Sequence, residues 1–352
     1  MSSQMAMSCT SGSTLEGLMP SLYFEDFIPG SETSYGAVTI QHDQMLAFAR
    51  AFDAQPMHID AKAAKATMAG ELIASGWYTA ALNMRMIADS FILDTASMGS
   101  PGVSELKWLK PVKAGDTLHG TRHIVDRRPS LTKPDRGFVN FRFELHNQAG
   151  EKVFEQTNLI MIGRRGSQPM ADAKAAPFAV KVPELPAFFD ATMDTIPFFE
   201  DLTIGERLNL GTKYFGEADI IAFAKDFDPQ FFHVDPVAAK ASIFGGIIAS
   251  GWHTAAGWME TMVHNRTAAA TNAIGLGKRP ARLGPSPGFQ NLRWIKPVYA
   301  GDTIAYASAI VEKRVSQSRP QWGVVRHYNT GTNQNGEVVF SFYGVVFWER
   351  SP

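Results

Sequence analysis

The chain contains one short motif twice, and this duplication constrains its fold more than any other feature. Residues 52–60 read F-D-A-Q-P-M-H-I-D and residues 227–235 read F-D-P-Q-F-F-H-V-D, and each is followed at the same distance by I-A-S-G-W. Aligned without gaps, residues 41–80 and 216–255 are identical at 20 of 40 positions. Identity at half of the positions over this length indicates tandem duplication of a whole domain.

The length of the chain agrees with two domains. Its 352 residues accommodate two units of about 150 to 175 residues, each large enough for its own core. The segments Y-F-E-D at 23–26 and F-F-E-D at 198–201 open the two copies at one offset of 175 residues. We predict a flexible tail at 1–20, a first domain at 21–165, a linker at 166–195 and a second domain at 196–352.

Each copy has the pattern of an α+β domain. A short amphipathic helix precedes the duplicated motif, a second short helix follows it, and a longer apolar helix begins at Ser75-Gly76 or Ser250-Gly251. The remainder predicts four strands, because β-branched and aromatic runs alternate with turn signals. The predicted strands are 106–112, 117–125, 138–146 and 153–162, then 292–298, 303–311, 323–330 and 338–348. The second copy has about 11 extra residues near 266–288, which predicts a longer loop or a segment that shapes one binding pocket.

Composition excludes several classes of partner. The net charge is −1 and only 19% of residues are charged, so nothing attracts nucleic acid or an acidic membrane. The single cysteine, Cys9, allows neither an intramolecular disulfide nor a cysteine-based zinc site, which is typical of the cytoplasm. The first twenty residues lack a basic start and an apolar core, so we do not expect a signal peptide.

The duplicated motif supplies a carboxylate and an imidazole, Asp53 with His58 and Asp228 with His233. On a continuous helix, side chains five residues apart point in different directions. A turn at Pro56 can instead bring the two side chains together over one cavity. Such a pair could hold a water molecule for addition to a C=C bond, one group taking a proton from water and the other protonating the α-carbon. The alternative is that the aspartate closes an Asx turn and the histidine is an ordinary loop residue.

Glycines Gly76 and Gly251 are placed where the long helix of each copy begins. Backbone N–H groups at that end are unpaired and the helix dipole favours negative charge, so a developing enolate oxygen would be stabilised there. Ser75 and Ser250 are predicted to cap these helices. The H-x-D pattern that Asp60 and Asp235 complete lacks further clustered ligands, and we expect no metal.

The motifs of both copies together resemble the MaoC-like dehydratases, the family of (R)-specific enoyl-CoA hydratases. The resemblance covers everything except the tail and the linker. The first copy has D-A-Q-P-M-H at 53–58 and S-P-G-V through G-D-T at 100–117, while the second has D-P-Q-F-F-H at 228–233, F-G-G through W at 244–252 and S-P-G through G-D-T at 286–303. Departures are Gln55 and Gln230 in place of an asparagine, and Ala69 and Glu71 where the second copy has Phe244 and Gly246.

The resemblance implies two tandem hot-dog domains, each a long central helix wrapped by an antiparallel sheet, packed as a pseudo-dimer. It implies that Asp53, His58, Asp228 and His233 are catalytic and that Gly76 and Gly251 are oxyanion donors. The implied substrate is an acyl-CoA thioester, without metal or redox cofactor, and the chain could pair again as a homodimer. Because both copies retain the aspartate and histidine, we expect two competent sites. An acyl-CoA thioesterase on the same scaffold and a non-catalytic acyl-CoA-binding protein remain alternatives.

Basic side chains in both copies could contact the phosphates of coenzyme A. They are Lys107, Lys110, Lys113, Arg127, Arg128, Lys278, Arg279, Arg282 and Lys296.

Overall fold

The computed structural model describes residues 20–167 and 187–352, which form helices and strands in the same order in each half. The helices are α1 (His42–Phe52), α2 (Pro56–Ile59), α3 (Ala61–Ala64), α4 (Gly76–Ile87), α5 (Glu217–Phe227), α6 (Phe231–Val234), α7 (Pro236–Ala241) and α8 (Gly251–Gly275). The strands are β1 (Glu32–Thr39), β2 (Gly102–Trp108), β3 (Thr117–Pro129), β4 (Arg136–His146), β5 (Lys152–Gly163), β6 (Phe189–Ala191), β7 (Glu206–Tyr214), β8 (Gly288–Trp294), β9 (Thr303–Val315), β10 (Trp322–Thr332) and β11 (Val338–Glu349).

All eleven strands in the described residues belong to one sheet. Its order is β1-β3-β4-β5-β2-β8-β11-β10-β9-β7-β6, so each half contributes a five-stranded antiparallel set and β6 adds a parallel edge strand. The halves are joined by antiparallel pairing of β2 with β8, in a register that places Val103 opposite Leu292. The sheet is therefore continuous across the two copies, as the pseudo-dimer prediction required.

Two glycines allow the joining strands to approach. Gly102 and Gly288 have φ angles of 150° and 148°, and a Cβ atom on either would lie 2.0 Å from a carbonyl oxygen of the opposite strand. A real Cβ cannot occupy that position, so both strands must begin with glycine for the halves to pair.

The buried face of the sheet wraps around α4 and α8, which pack against each other near the centre of the molecule. Both helices are lined with buried small and apolar side chains, including Ala80, Ala81, Ala255 and Ala256. Their lengths differ. The first has 12 residues and passes into a π-helical turn at Ala88–Ile92, whereas the second has 25. Within the described residues, no helix combines the length and apolarity needed to span a bilayer.

The predicted strands are all present, with shifted ends. The strands predicted at 106–112 and 292–298 begin four residues earlier and end at Trp108 and Trp294. Prolines three residues beyond each tryptophan explain the early ends, since proline cannot donate to the ladder. The sequence did not predict β1 and β7. Most of their side chains are exposed, so their residues show no clear alternation of apolar and polar types. The predicted tail and residues 168–186 of the predicted linker lie outside the described residues.

Replacing Gly288 by alanine should destabilise the whole chain, because the new Cβ atom would collide with the backbone of β2 in a left-handed region of φ. We expect the free energy of unfolding to fall by about 1 to 3 kcal/mol, the usual cost of overpacking, as measured by urea denaturation. Gly246→Ala is the control, since Gly246 has open space around the position of its Cβ. Equal effects of the two substitutions would contradict this account of the strand pairing.

Candidate functional site

The duplicated motif folds into a helix end, a three-residue connection and a single helical turn. Helix α1 ends at Phe52, and Pro56 occupies the first turn of α2, where its missing N–H costs nothing. This break turns the chain so that the Asp53 and His58 side chains face each other, with 3.5 Å between Asp53 Oδ2 and His58 Nε2. Both residues are buried, at 2% and 6% exposure. The turn predicted from Pro56 therefore brings the pair together.

A backbone carbonyl fixes the orientation of the His58 ring. Nδ1 lies 3.0 Å from the carbonyl oxygen of Ile73. A carbonyl oxygen only accepts hydrogen bonds, so Nδ1 carries a hydrogen and donates it. In the neutral ring Nε2 then holds the lone pair, on the side that faces Asp53. The atom able to take or give a proton is thus directed at the carboxylate.

The Asp53 carboxylate is held by two further donors. Ser75 Oγ donates to Oδ2 at 2.7 Å and Gln55 Nε2 donates to Oδ1 at 2.8 Å. Ser75 also accepts from the Trp77 N–H, so one hydroxyl caps helix α4 and binds the aspartate. The sequence predicted the cap but gave no sign of the second contact.

Gly76 is the first residue of α4, and it lines the same cavity as Asp53 and His58. Its N–H finds no acceptor among the residues described, as expected at a helix start. Its carbonyl accepts a hydrogen bond from the Trp108 indole at 2.9 Å. A Cβ atom on Gly76 would lie 2.4 Å from that indole, so glycine is also required by packing.

The second copy repeats this arrangement. Asp228 Oδ2 lies 3.4 Å from His233 Nε2, and His233 Nδ1 lies 2.8 Å from the carbonyl of Ile248. Ser250 and Gln230 donate to the two carboxylate oxygens at 2.7 and 2.9 Å. Burial raises the pKa of Asp228, but the His233 charge and the donated hydrogen bonds outweigh it and hold the pKa below its usual value.

Gly251 begins α8 as Gly76 begins α4, and the Trp294 indole donates to its carbonyl at 2.9 Å. All six residues selected from the sequence therefore lie in two equivalent groups. Asp60 and Asp235 point elsewhere: each carboxylate accepts two backbone N–H groups at the start of the next short helix. Within the described part of the chain, no group of three metal-ligating side chains occurs.

Each group opens into a cavity whose walls come from both halves. The first site borders a cavity of about 570 Å³, lined by second-half residues that include Trp258, Arg266 and Phe289. The second site borders one of about 110 Å³, lined by first-half residues that include Ile87 and Gln156. The extra segment of the second copy thus shapes the pocket of the other half. The first part of this segment extends α8 to Gly275, and its last part, residues 284–288, lines the first cavity.

The predicted basic residues are mostly paired on the surface. Lys110 and Lys296 line the first and second cavity, and their amines bond to Glu151 and Glu337. Other pairs join Lys107 to Glu105, Lys113 to Glu71, and Arg279 and Arg282 to Glu349.

The arrangement of helices and strands is that of solved double hot-dog proteins. A MaoC domain protein from Chloroflexus aurantiacus J-10-fl has a TM-score of 0.74 at 18% identity, covering 95% of this chain and 99% of that one. A Mycobacterium tuberculosis protein described as having a double hotdog fold has a TM-score of 0.67 at 16% identity, covering 93% and 98%. Fold and paired sites together define a double hot-dog protein.

The sequence profile of the MaoC like domain matches residues 28–135 and 200–331. The match spans both halves and most of the chain, so the chain belongs to the MaoC-like domain family. It is also 27% identical over 149 residues to the (R)-specific enoyl-CoA hydratase of Rhodospirillum rubrum, a match covering 41% of this chain and 94% of that protein.

Replacing Ser75 by alanine should remove a helix cap and leave one Asp53 oxygen without its donor. We expect the free energy of unfolding to fall by about 1 to 2 kcal/mol, measured by chemical denaturation. Ser104→Ala serves as control, because the exposed Ser104 hydroxyl donates only to a strand carbonyl. A loss no greater than that of the control would show that the shared hydroxyl does not hold the site together.

A buried histidine of α8 should control stability in acid. His253 stacks on Phe223 at 4.5 Å, and burial, with the charges of Lys213 and His233, lowers its pKa to about 3. Between pH 6.5 and this value the unfolded chain binds the proton and the folded chain does not, so stability falls as pH falls. His253→Phe should flatten the dependence of unfolding free energy on pH in that window, by up to about 1.4 kcal/mol per pH unit. The exposed His264→Phe should leave the slope unchanged.

Proposed function

We propose that the chain is a hydro-lyase that reversibly adds water to 2-enoyl thioesters of coenzyme A, giving 3-hydroxyacyl thioesters. The observation that carries the proposal is the buried carboxylate–imidazole pair beside an unpaired helix N–H, present in both halves. The similarity to an (R)-specific enoyl-CoA hydratase supports the same class of reaction.

The geometry suits a water molecule shared by the pair. The distances of 3.5 and 3.4 Å between carboxylate oxygen and Nε2 exceed a good direct hydrogen bond. In the imidazolium form of the ring Nε2 also carries a hydrogen, so a water bound between the groups donates to the carboxylate and accepts from the Nε2–H. The water oxygen adds to the β-carbon while the carboxylate removes its proton, and the imidazolium delivers its Nε2 proton to the α-carbon. Transfer of the proton from the carboxyl group back to the imidazole restores the pair.

The charge that develops during addition lies on the thioester oxygen. In our proposal this oxygen accepts from the N–H of Gly76 or Gly251, where the helix dipole adds to the hydrogen bond. Protein groups thus supply the nucleophile's orientation, both proton transfers and the stabilisation of charge. The reaction proposed requires neither a metal nor a redox cofactor.

The cavity volumes predict unequal substrate ranges for the two sites. The first, at about 570 Å³, offers room for an extended acyl group, whereas the second, at about 110 Å³, suits only a short one. We propose that both sites hydrate short acyl groups and that only the first accepts longer ones.

The test is loss of the conjugated-enoyl thioester absorbance when purified protein is mixed with crotonyl-CoA. Asp53→Asn and Asp228→Asn should each lower the rate, and the double variant should lose about 10²- to 10⁴-fold, the usual contribution of acid–base groups. With a 2-octenoyl thioester, the Asp53→Asn variant alone should show the full loss.

The control is Asp43→Asn, which alters a fully exposed carboxylate at the start of α1. Absorbance loss accompanied by release of free thiol would identify a thioesterase instead. Full activity in the double variant, or binding of the thioester without turnover, would reject the proposed chemistry.

A further inference from the structure

The cavity of the first site is bordered by a cation that forms no ion pair with any described residue. Arg266 of α8 lines this cavity, and its Nε atom is enclosed without a hydrogen-bond partner. The Trp348 ring lies 5.6 Å from the guanidinium carbon. A partly buried guanidinium that forms no ion pair is costly, so a role in ligand binding would account for its presence.

Burial lowers the pKa of Arg266 to about 10, and the Asp53 carboxylate opposes this shift. The side chain therefore stays protonated at neutral pH. Arg266 and Asp53 line the same cavity, which brings the guanidinium within electrostatic range of the Asp53–His58 pair.

The first half has no arginine at the equivalent position, and Arg122, which packs 4.2 Å from the Phe91 ring, does not line the cavity of the second site. Counted from the first glycine of each long helix, Phe91 occupies the position of Arg266. On the sheet, at the offset of 186 residues, Phe141 occupies that of His327. Phe91 and Phe141 pack 5.7 Å apart in a dense aromatic cluster. The two halves thus differ at one place: in the first it is filled by phenyl rings with the Arg122 guanidinium packed over them, and in the second it is hollow.

That hollow continues beyond the first site. A second cavity of about 300 Å³ also borders Arg266 and His327. Asp194, Asp201 and Glu206 line this second cavity but form no ion pair with Arg266, so the free cation faces the first cavity. His327 is buried and its Nδ1 lies 2.9 Å from Asn329 Oδ1. Burial lowers its pKa to about 4 despite that hydrogen bond, so it is neutral near pH 7 and does not compete with Arg266 for an anion.

We propose that the first site accepts 2-enoyl thioesters whose acyl group ends in a second carboxylate, and that the Arg266 guanidinium binds this carboxylate. A planar guanidinium matches a carboxylate with two parallel hydrogen bonds, and the enclosed surroundings strengthen them. The inference rests on the proposed function for its thioester class. The second site, without a cation at the equivalent position, would not share this preference.

Binding of saturated thioesters tests the carboxylate site independently of the hydration reaction. Succinyl-CoA and butyryl-CoA are saturated and differ only in a terminal carboxylate or methyl group. We expect the protein to bind succinyl-CoA at least about tenfold more tightly, measured by calorimetry. Arg266→Met should weaken succinyl-CoA binding by about 10- to 100-fold, the range for a charge-assisted hydrogen bond, and butyryl-CoA binding by less than about threefold.

Two further variants serve as controls. Arg266→Lys retains the charge and should keep part of the preference, so it also covers the case in which Arg266→Met fails to fold. Arg319→Met removes an exposed cation that borders the same cavity and should leave the preference intact. If Arg266→Met weakened the binding of succinyl-CoA, butyryl-CoA and coenzyme A equally, Arg266 would bind the coenzyme A portion. This result would overturn the proposal. An equal effect of Arg319→Met, or no preference in the unaltered protein, would also overturn it.

Turnover provides the second measurement. In Asp228→Asn protein, hydration is confined to the first site, and crotonyl-CoA can be compared with the coenzyme A monothioester of fumaric acid. Arg266→Met should lower kcat/KM about 10- to 100-fold for the carboxylated substrate alone. Succinyl-CoA preference without hydration of either substrate would reject the hydratase and keep the carboxylate site. Hydration of both substrates at similar rates, unchanged by Arg266→Met, would support the hydratase and reject the carboxylate site.

Discussion

The antiparallel pairing of β2 with β8 is the contact on which the rest of the structure depends. It fuses two half-sheets into one and sets α4 against α8 in the space between them. Each Asp–His pair then lies at the boundary of the halves, with part of its cavity wall supplied by the other copy. Neither half alone would enclose its own cavity, so the glycines at 102 and 288, where the strands touch, are needed for both cavities to form.

Within each half, a buried carboxylate is the costliest group to accommodate. Asp53 and Asp228 are each held by a serine, a glutamine and a histidine, and the serine is also the cap of the long helix. The serine hydroxyl that donates to the buried carboxylate therefore also accepts the N–H that begins the helix. Helix start, carboxylate and imidazole are thus fixed as one unit.

The two copies have kept this unit and diverged around it. Near the first site the second copy places Arg266 and His327, whereas the equivalent positions of the first copy carry Phe91 and Phe141. The second copy is hollow where the first is filled by phenyl rings and the Arg122 guanidinium, and the two cavities differ in volume. Since duplication, the two copies have thus kept the Asp–His pair and changed the cavity walls beside it.

Much of the fold and both Asp–His pairs could be predicted from the sequence, since the repeat, the turn at Pro56 and the glycine that begins each long helix are local signals. Local patterns failed where a strand exposes most of its side chains, as in β1 and β7. They also failed to pair Ser75 with Asp53, because residues 22 apart meet only through packing. The sequence by itself determined two equal domains, each with one Asp–His pair and a helix N-terminus. Only the tertiary structure decided that Arg266 of the second copy borders the site of the first, because that contact depends on how the halves pair.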